Sequence, residues 1–229
     1  MPVVSENIVN YLGNVATLFT IFQFISGVTV CLAIRKGKTT GDRSSITFIS
    51  GALMCYVWYR YGIAVKDSNI LFVNLLGCVI HVAYSILFTY YCPSLKMKPI
   101  KIQCLVSFLI IIFLHGVKTI VESEARITHY TGLLGSVLSI AFAASPLISL
   151  RHVFQTKSTE VLPFYIIIFV FVVSSLWGIY GLCKGDPFLI FTNGTNAVIS
   201  MFQLSLFAVY PSKNGYSLKK EGLSKESII

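Results

Sequence analysis

The sequence predicts an all-α membrane protein with seven transmembrane helices, and three observations carry that prediction. The 229-residue chain is 55% hydrophobic and only 12% charged, with a mean hydropathy of +0.77, more apolar than a soluble domain of this length tolerates. Seven segments are long enough for a bilayer core about 30 Å thick, which takes on the order of 20 apolar residues per helix. One residue pattern also occurs twice, 119 residues apart.

The predicted spans are 8–34, 46–65, 69–92, 102–121, 129–153, 162–183 and 187–210. They use up most of the chain, so no separate soluble domain is expected. A membrane barrel is excluded because it would show segments of about ten residues with alternating polarity. The first ten residues carry Glu6 and no basic residue, so no cleavable signal is expected and the first helix is itself the insertion signal. Cys31, Cys55, Cys78, Cys92, Cys104 and Cys183 lie in spans or at their ends without a C-x-x-C pair, which does not read as a zinc site. No cofactor, no metal and no nucleic acid is expected, although the net charge is +9.

That charge has a direction. With the N-terminus outside, the inner segments hold Arg35, Lys36, Lys38, Arg43, Lys96, Lys98, Lys101, Arg151, Lys157, Lys213, Lys219, Lys220 and Lys225. The outer side holds only Arg60, Lys66, Lys118, Arg126 and Lys184. Thirteen against five places the N-terminus outside and the C-terminus in the cytoplasm. The basic tail, 212–229, reads as disordered and suited to anionic lipid.

The repeat pairs Gly13, Ser26, Lys38, Thr40, Trp58, Tyr61, Gly62, Asp67 and Asn74 with Gly132, Ser145, Lys157, Thr159, Trp177, Tyr180, Gly181, Asp186 and Asn193. Each copy holds three spans. Three is odd, so a direct join would invert the second copy. The fourth span has no counterpart and restores the orientation. The expected organisation is 1–95 as a first three-helix bundle, 96–125 as the linker helix, 126–211 as a second bundle, then the tail. Two parallel three-helix repeats joined by one helix (3+1+3) suggest a transport route along the axis between them.

All nine acids fall in predicted loops or at span edges, and ion coupling ordinarily needs a carboxylate within the membrane. His81 is the titratable side chain nearest a span centre, and its expected role is hydrogen-bonded helix packing. The two asparagines offer donors and an acceptor to a neutral polyhydroxyl molecule. The only two tryptophans, Trp58 and Trp177, offer flat faces for a sugar ring. Trp58, Asn74, Trp177 and Asn193 are therefore the candidate substrate site. The plainer reading makes the asparagines helix glue and the tryptophans an interfacial belt. Tyr61 and Asp186 suit an outer gate, with a helix cap as the alternative for Asp186. Pro146 is expected to weaken its helix, which suits a hinge, while Pro163 suits either a hinge or a helix start. Asn193-Gly194-Thr195 reads as a chance glycosylation match inside a span.

These residues resemble the SWEET sugar-transporter family from Gly13-Asn14 to Tyr210. The carriers are Ala144-Ser145-Pro146-Leu147, Lys157-Ser158-Thr159-Glu160, Leu162-Pro163-Phe164, Trp177 with Tyr180-Gly181, and Asp186-Pro187-Phe188. Arg60-Tyr61-Gly62 resembles the animal members. The resemblance implies bidirectional facilitated movement of a mono- or disaccharide by alternating access. It also implies the same four-residue pocket, the Tyr61 and Asp186 gate, and homo-oligomers in the lipid bilayer of the plasma membrane or the Golgi and endomembranes. Of the family's four hinge prolines only Pro146 and Pro163 are present; Gly27 and Thr47 hold the other two positions (strict 119-residue spacing would give Ser44 in place of Thr47). Thr192 stands where a proline usually precedes the pocket asparagine. Tryptophan at both pocket positions narrows the expected substrate to hexose, glucose first. The competing functions are a proton-coupled exporter of the related PQ-loop kind and a seven-helix receptor; an enzyme finds no nucleophile–base pair or metal cluster.

Overall fold

The computed structural model describes residues 5–120, 123–144, 147, 150–160, 162 and 164–210, with backbone alone for 118–120. Its elements are α1 (Glu6–Ile25), α2 (Gly27–Gly37), α3 (Ile46–Val65), α4 (Ser68–Tyr90), a 3-10 turn (Ser94–Lys96), α5 (Met97–Ile120), α6 (Glu124–Ala144), α7 (Leu150–Thr156), α8 (Phe164–Lys184) and α9 (Pro187–Val209). The predicted tail, Pro146 and Pro163 lie outside the described residues.

The first predicted span is two helices, with a break at Ser26. No proline causes it. The Ser26 hydroxyl donates to Gln23 O at 2.6 Å, and Thr29 donates back to Ser26 O at 2.8 Å. Such back-bonding competes with the helix ladder and bends it. Gly27 follows at the bend, where a Cβ would stand 2.6 Å from the Tyr84 ring. The Tyr84 hydroxyl donates to Phe24 O at 3.0 Å and so holds the bend from α4.

Among the described residues, five segments are both long and apolar enough to cross a membrane: Glu6–Gly37, Ser68–Tyr90, Ser94–Val117, Glu124–Ala144 and Phe164–Lys184. Helices α3 and α9 match them in length, at 20 and 23 residues. Their hydropathy falls because α3 carries Tyr56, Trp58, Tyr59, Arg60 and Tyr61, and α9 buries Thr192, Asn196, Ser200 and Gln203. The outward faces are greasy. On α4, Phe72, Leu75, Val79, Val82, Ile86 and Tyr90 are all exposed, at helical spacing. In water such a stripe would be a severe liability; a bilayer solvates it.

The chain divides into two compact units after Leu138. In the first, α3 and α4 pack side by side, α4 also meets α1 and α2, and α5 lies on α3. A core of Cys31, Ile34, Phe48, Ile49, Tyr84, Phe88 and Ile100 fills the end of this unit near the α2–α3 loop. Leu53, Val57 and Leu114, with Leu134 and Leu138 packed against them, join α3, α5 and α6. The Lys96 ammonium ties the α2–α3 loop to the α4–α5 turn through Asp42 at 2.9 Å and Gly41 O at 3.0 Å. In the second unit α8 packs on α9, and Val153, Leu162, Ile167 and Leu206 form its core.

Candidate functional site

The local geometry of the candidate site is built twice, each time by one tight helix pair. Helix α3 ends on Lys66, in the left-handed conformation at φ 55°, and α8 ends before Gly185 at φ 66°. These positions are equivalent under the 119-residue offset. The next residue is an aspartate in each copy. Asp67 caps α4 by accepting from Asn69 N and Ile70 N at 3.0 and 3.1 Å. Asp186 caps α9 by accepting from Phe188 N and Leu189 N, both at 3.0 Å. The capping alternative for Asp186 is therefore observed, and its twin does the same. An aspartate at this position satisfies amides the helix leaves open and suits its positive end.

The glycine after each tyrosine lets the two helices close. A Cβ on Gly62 would stand 2.8 Å from Leu71 N, and one on Gly181 would stand 2.8 Å from Leu189 Cβ and 3.0 Å from Ile190 N. Backbone atoms cannot step aside as a flexible side chain can. One turn earlier sit the tryptophans, only 9% and 8% exposed. Trp58 meets Tyr61 edge to face with ring centroids 5.3 Å apart, and Trp177 meets Tyr180 likewise at 5.4 Å. This burial excludes the interfacial-belt reading, since a belt tryptophan faces lipid headgroups. A Cβ on Gly135 of α6 would lie 3.1 Å from the Trp58 ring, so that helix packs its glycine closely on the indole.

Both asparagines are half-buried and hold the same posture. Asn74 Nδ2 donates to Ile70 O at 2.8 Å, and Asn193 Nδ2 donates to Leu189 O at 3.0 Å. Each amide is tied one turn back on its own helix. Neither bonds a neighbouring helix among the described residues. The tie fixes the side chain, and among the described residues neither amide makes a further hydrogen bond. Such an amide still has the donor and acceptor types that a hydroxyl can pair with.

His81 differs from expectation. Its Nδ1 is buried without a hydrogen-bond partner among the described residues, and the ring is packed edge-on against Phe24 and Tyr84 at 5.2 and 6.0 Å. Gly51 makes the room, because a Cβ there would be 2.6 Å from the imidazole. The ring is held by aromatic packing rather than by hydrogen bonds. Of the hinge candidates, Gly27 sits at the α1–α2 break and Thr47 is an exposed second residue of α3.

The sequence reading missed one pair. Gln203 Nε2 donates to Ala143 O at 3.3 Å, which repeats the bond from Tyr84 to Phe24 O: 84 and 203, like 24 and 143, are separated by 119. The offset alone would have paired them, but an aromatic and an amide do not look alike. The Lys38 and Lys157 turns repeat as well, at φ 51° and 52°.

The comparisons with known proteins agree with this doubling. The family described as sugar efflux transporter for intercellular exchange matches twice, over residues 10–96 and 129–215. The chain is 31% identical to sugar transporter SWEET1 of Drosophila pseudoobscura pseudoobscura, over 93% of this chain and 96% of that protein. It is 30% identical to bidirectional sugar transporter SWEET1 of Arabidopsis thaliana, over 93% and 86%. A solved structure of a eukaryotic SWEET transporter superimposes with a TM-score of 0.77 at 26% identity, covering 88% of this chain and 96% of that one.

Proposed function

The chain belongs to the SWEET family of sugar transporters, integral membrane proteins of 3+1+3 helical layout and not enzymes, and from that premise we propose that it carries a neutral hexose, glucose first, down its gradient by alternating access. The sugar contacts are Trp58 and Trp177, stacking on C–H faces, and Asn74 and Asn193, exchanging hydrogen bonds with ring hydroxyls. Tyr61 and Asp186 form the outer gate, and Gly27, Thr47, Pro146 and Pro163 serve as hinges. The working units are 1–95, 96–125 and 126–211, in a homo-oligomer of the plasma membrane or the Golgi and endomembranes, with the N-terminus outside.

The observation that supports this most is the repeated asparagine posture. A residue kept only for packing has no reason to hold its amide oxygen open at the same place in both copies. The test is uptake of radiolabelled glucose into proteoliposomes with no proton gradient. Wild-type protein fills the vesicles to equilibrium and takes up a disaccharide far more slowly. Asn193→Ala and Trp177→Ala each abolish uptake while melting like wild type. Wild-type uptake in both variants rules the site out, and uptake that requires a proton gradient and fails in His81→Ala favours the coupled exporter instead.

A further inference from the structure

A groove of about 730 Å³ runs along the first unit between α3, α4 and α5. It exists because α5 lies on α3 and leaves a gap to α4. Ile49, Leu53, Val82, Ile86, Phe108 and Ile111 give it a hydrocarbon lining. Several polar side chains along it are turned to protein instead. Ser85 donates to His81 O at 2.8 Å, and Thr89 donates to Ser85 O at 2.7 Å. The Tyr56 hydroxyl is engaged by Arg60 Nη1 at 3.0 Å and by His115 Nε2 at 2.7 Å, neither of which lines the groove.

The two ends differ. Tyr56, Cys78 and Ile111 mark one end, at the middle of their helices. Ile49, Tyr90 and Cys104 mark the other, where α3 begins, α4 stops and α5 begins. At a rise of 1.5 Å per residue, Cys78 to Tyr90 on α4 spans about 18 Å. That is close to the roughly 15 Å depth of one leaflet's hydrocarbon. The Tyr90 end therefore stands at headgroup level, and the Cys78 end reaches the bilayer centre.

Cations stand at the headgroup end. Lys101 lies one turn before Cys104 on α5, and Lys98 lies one turn before Lys101, both exposed. Helical side chains lean toward the N-terminus of their helix. Here that direction carries both ammonium groups away from hydrocarbon, toward the headgroups. Lys96 beside them is already paired with Asp42 at 2.9 Å. Lys98 and Lys101 have no carboxylate partner among the described residues. Tyr90, 80% exposed, completes the mouth.

We propose that this groove binds an anionic glycerophospholipid, with one acyl chain lying between α4 and α5 and the phosphate held by Lys98 and Lys101. Charge complementarity selects the head, and the length and lining of the groove select the chain. A zwitterionic lipid brings its own cation to the phosphate and gains less from the two lysines. One wall of the groove is α5, which has no counterpart in the second bundle, so the site has no twin under the 119-residue offset. The lipid serves the linker helix by filling the gap between it and α4.

The test uses the full chain in phosphatidylcholine nanodiscs doped with phosphatidylglycerol that carries a diazirine near the end of one acyl chain. After irradiation, adducts are mapped by mass spectrometry. They should concentrate at the deep end, in 78–82 and 108–111. Lys98→Gln and Lys101→Gln should each lower them about fivefold, the worth of one lysine near an anionic surface. Lys101→Arg keeps most of them. Ser107→Phe, which fills the groove without touching the lysines, should abolish them. Thermal melting in detergent checks that each variant is folded. Should Ser107→Phe melt early, Ile86→Trp on the exposed rim blocks the same space. Adducts spread evenly over the lipid-facing helices overturn the proposal, as does equal labelling by the matching phosphatidylcholine probe. So does wild-type labelling in the double lysine variant or in the folded groove-filling variant.

Discussion

In the first bundle the inner face of α4 carries Gly77, His81 and Tyr84; in the second, α9 puts Asn196, Ser200 and Gln203 at the same three positions. In the first copy each close approach sets side chains on a glycine, and the second copy has other residues at the matching positions. His81 rests on Gly51, while Ser200 corresponds with Val170. Tyr84 rests on Gly27, while Gln203 corresponds with Pro146. Gly77 lies under Phe24 and Cys55, where a Cβ would be 2.7 and 2.6 Å away, while Asn196 corresponds with Ala143 and Ser174. The first core is thus aromatic rings set on glycine sockets, and the second is a buried polar stripe whose Asn196 Oδ1 has no partner among the described residues. The capping aspartates, the closing glycines, the tryptophan–tyrosine pairs and the asparagine posture are the same in both. Packing was free to drift as long as volumes balanced. The paired groups were not.

The comparison breaks most visibly at the shared glycines. Gly62→Ala and Gly181→Ala each push a Cβ toward backbone, so each should cost about 3 kcal/mol in thermal or denaturant unfolding in detergent. Sensitivity in only one copy would mean that the two helix pairs are not equivalent. The divergent core is the next place to press. Gly51→Val alone should destabilise by about 2 kcal/mol by colliding with His81, and His81→Ser added to it should recover most of the loss, because that pair is what the second copy uses. Simple additivity would refute the volume-exchange account.

Smaller effects should follow at the caps. Asp67→Ala and Asp186→Ala each remove two accepted bonds and should lower stability by about 1 kcal/mol, equally in the two copies. The weakest contribution belongs to one copy only. The Lys96 hydrogen bond, then its charge, holds the exposed Asp42 carboxyl below its ordinary value, and the second copy has Val161 and Gly215 at these positions. A lowered folded pKa gives stability that is complete above the unfolded value near about 4 and is lost as pH falls through the folded one. Melting followed from pH 6 to pH 3 should show a slight extra decline in wild type that Lys96→Ala lacks. Solvent screening keeps it small.

Much of this was legible from the sequence, because a bilayer turns apolar length into helices and a duplication marks its own constrained positions. The predicted second span, 46–65, is α3 to the residue, and 187–210 overruns α9 by one. The break at Ser26 was not legible. Ser-Gly inside an apolar run is tolerated by a helix, and the bend that the local hydroxyl bonds allow is held by Tyr84, arriving from far along the chain. The closing role of Gly62 and Gly181 was hidden for the same reason, since it depends on how near another helix comes. Asp186 was left between gate and cap because both uses need an acid at a helix start. His81 was misjudged because a ring's neighbours, not its own chemistry, decide whether it packs or bonds.

The two tryptophans give the central claim its most direct test, since they are the chain's only indoles and both are assigned to the sugar. Glucose is titrated into purified Trp58→Phe and Trp177→Phe proteins while emission of the remaining indole is followed. If both copies contribute to one sugar site, each single-tryptophan protein shows a saturable change, and Asn74→Ala or Asn193→Ala removes it. A transport-competent protein in which neither indole responds at saturating glucose would contradict the account.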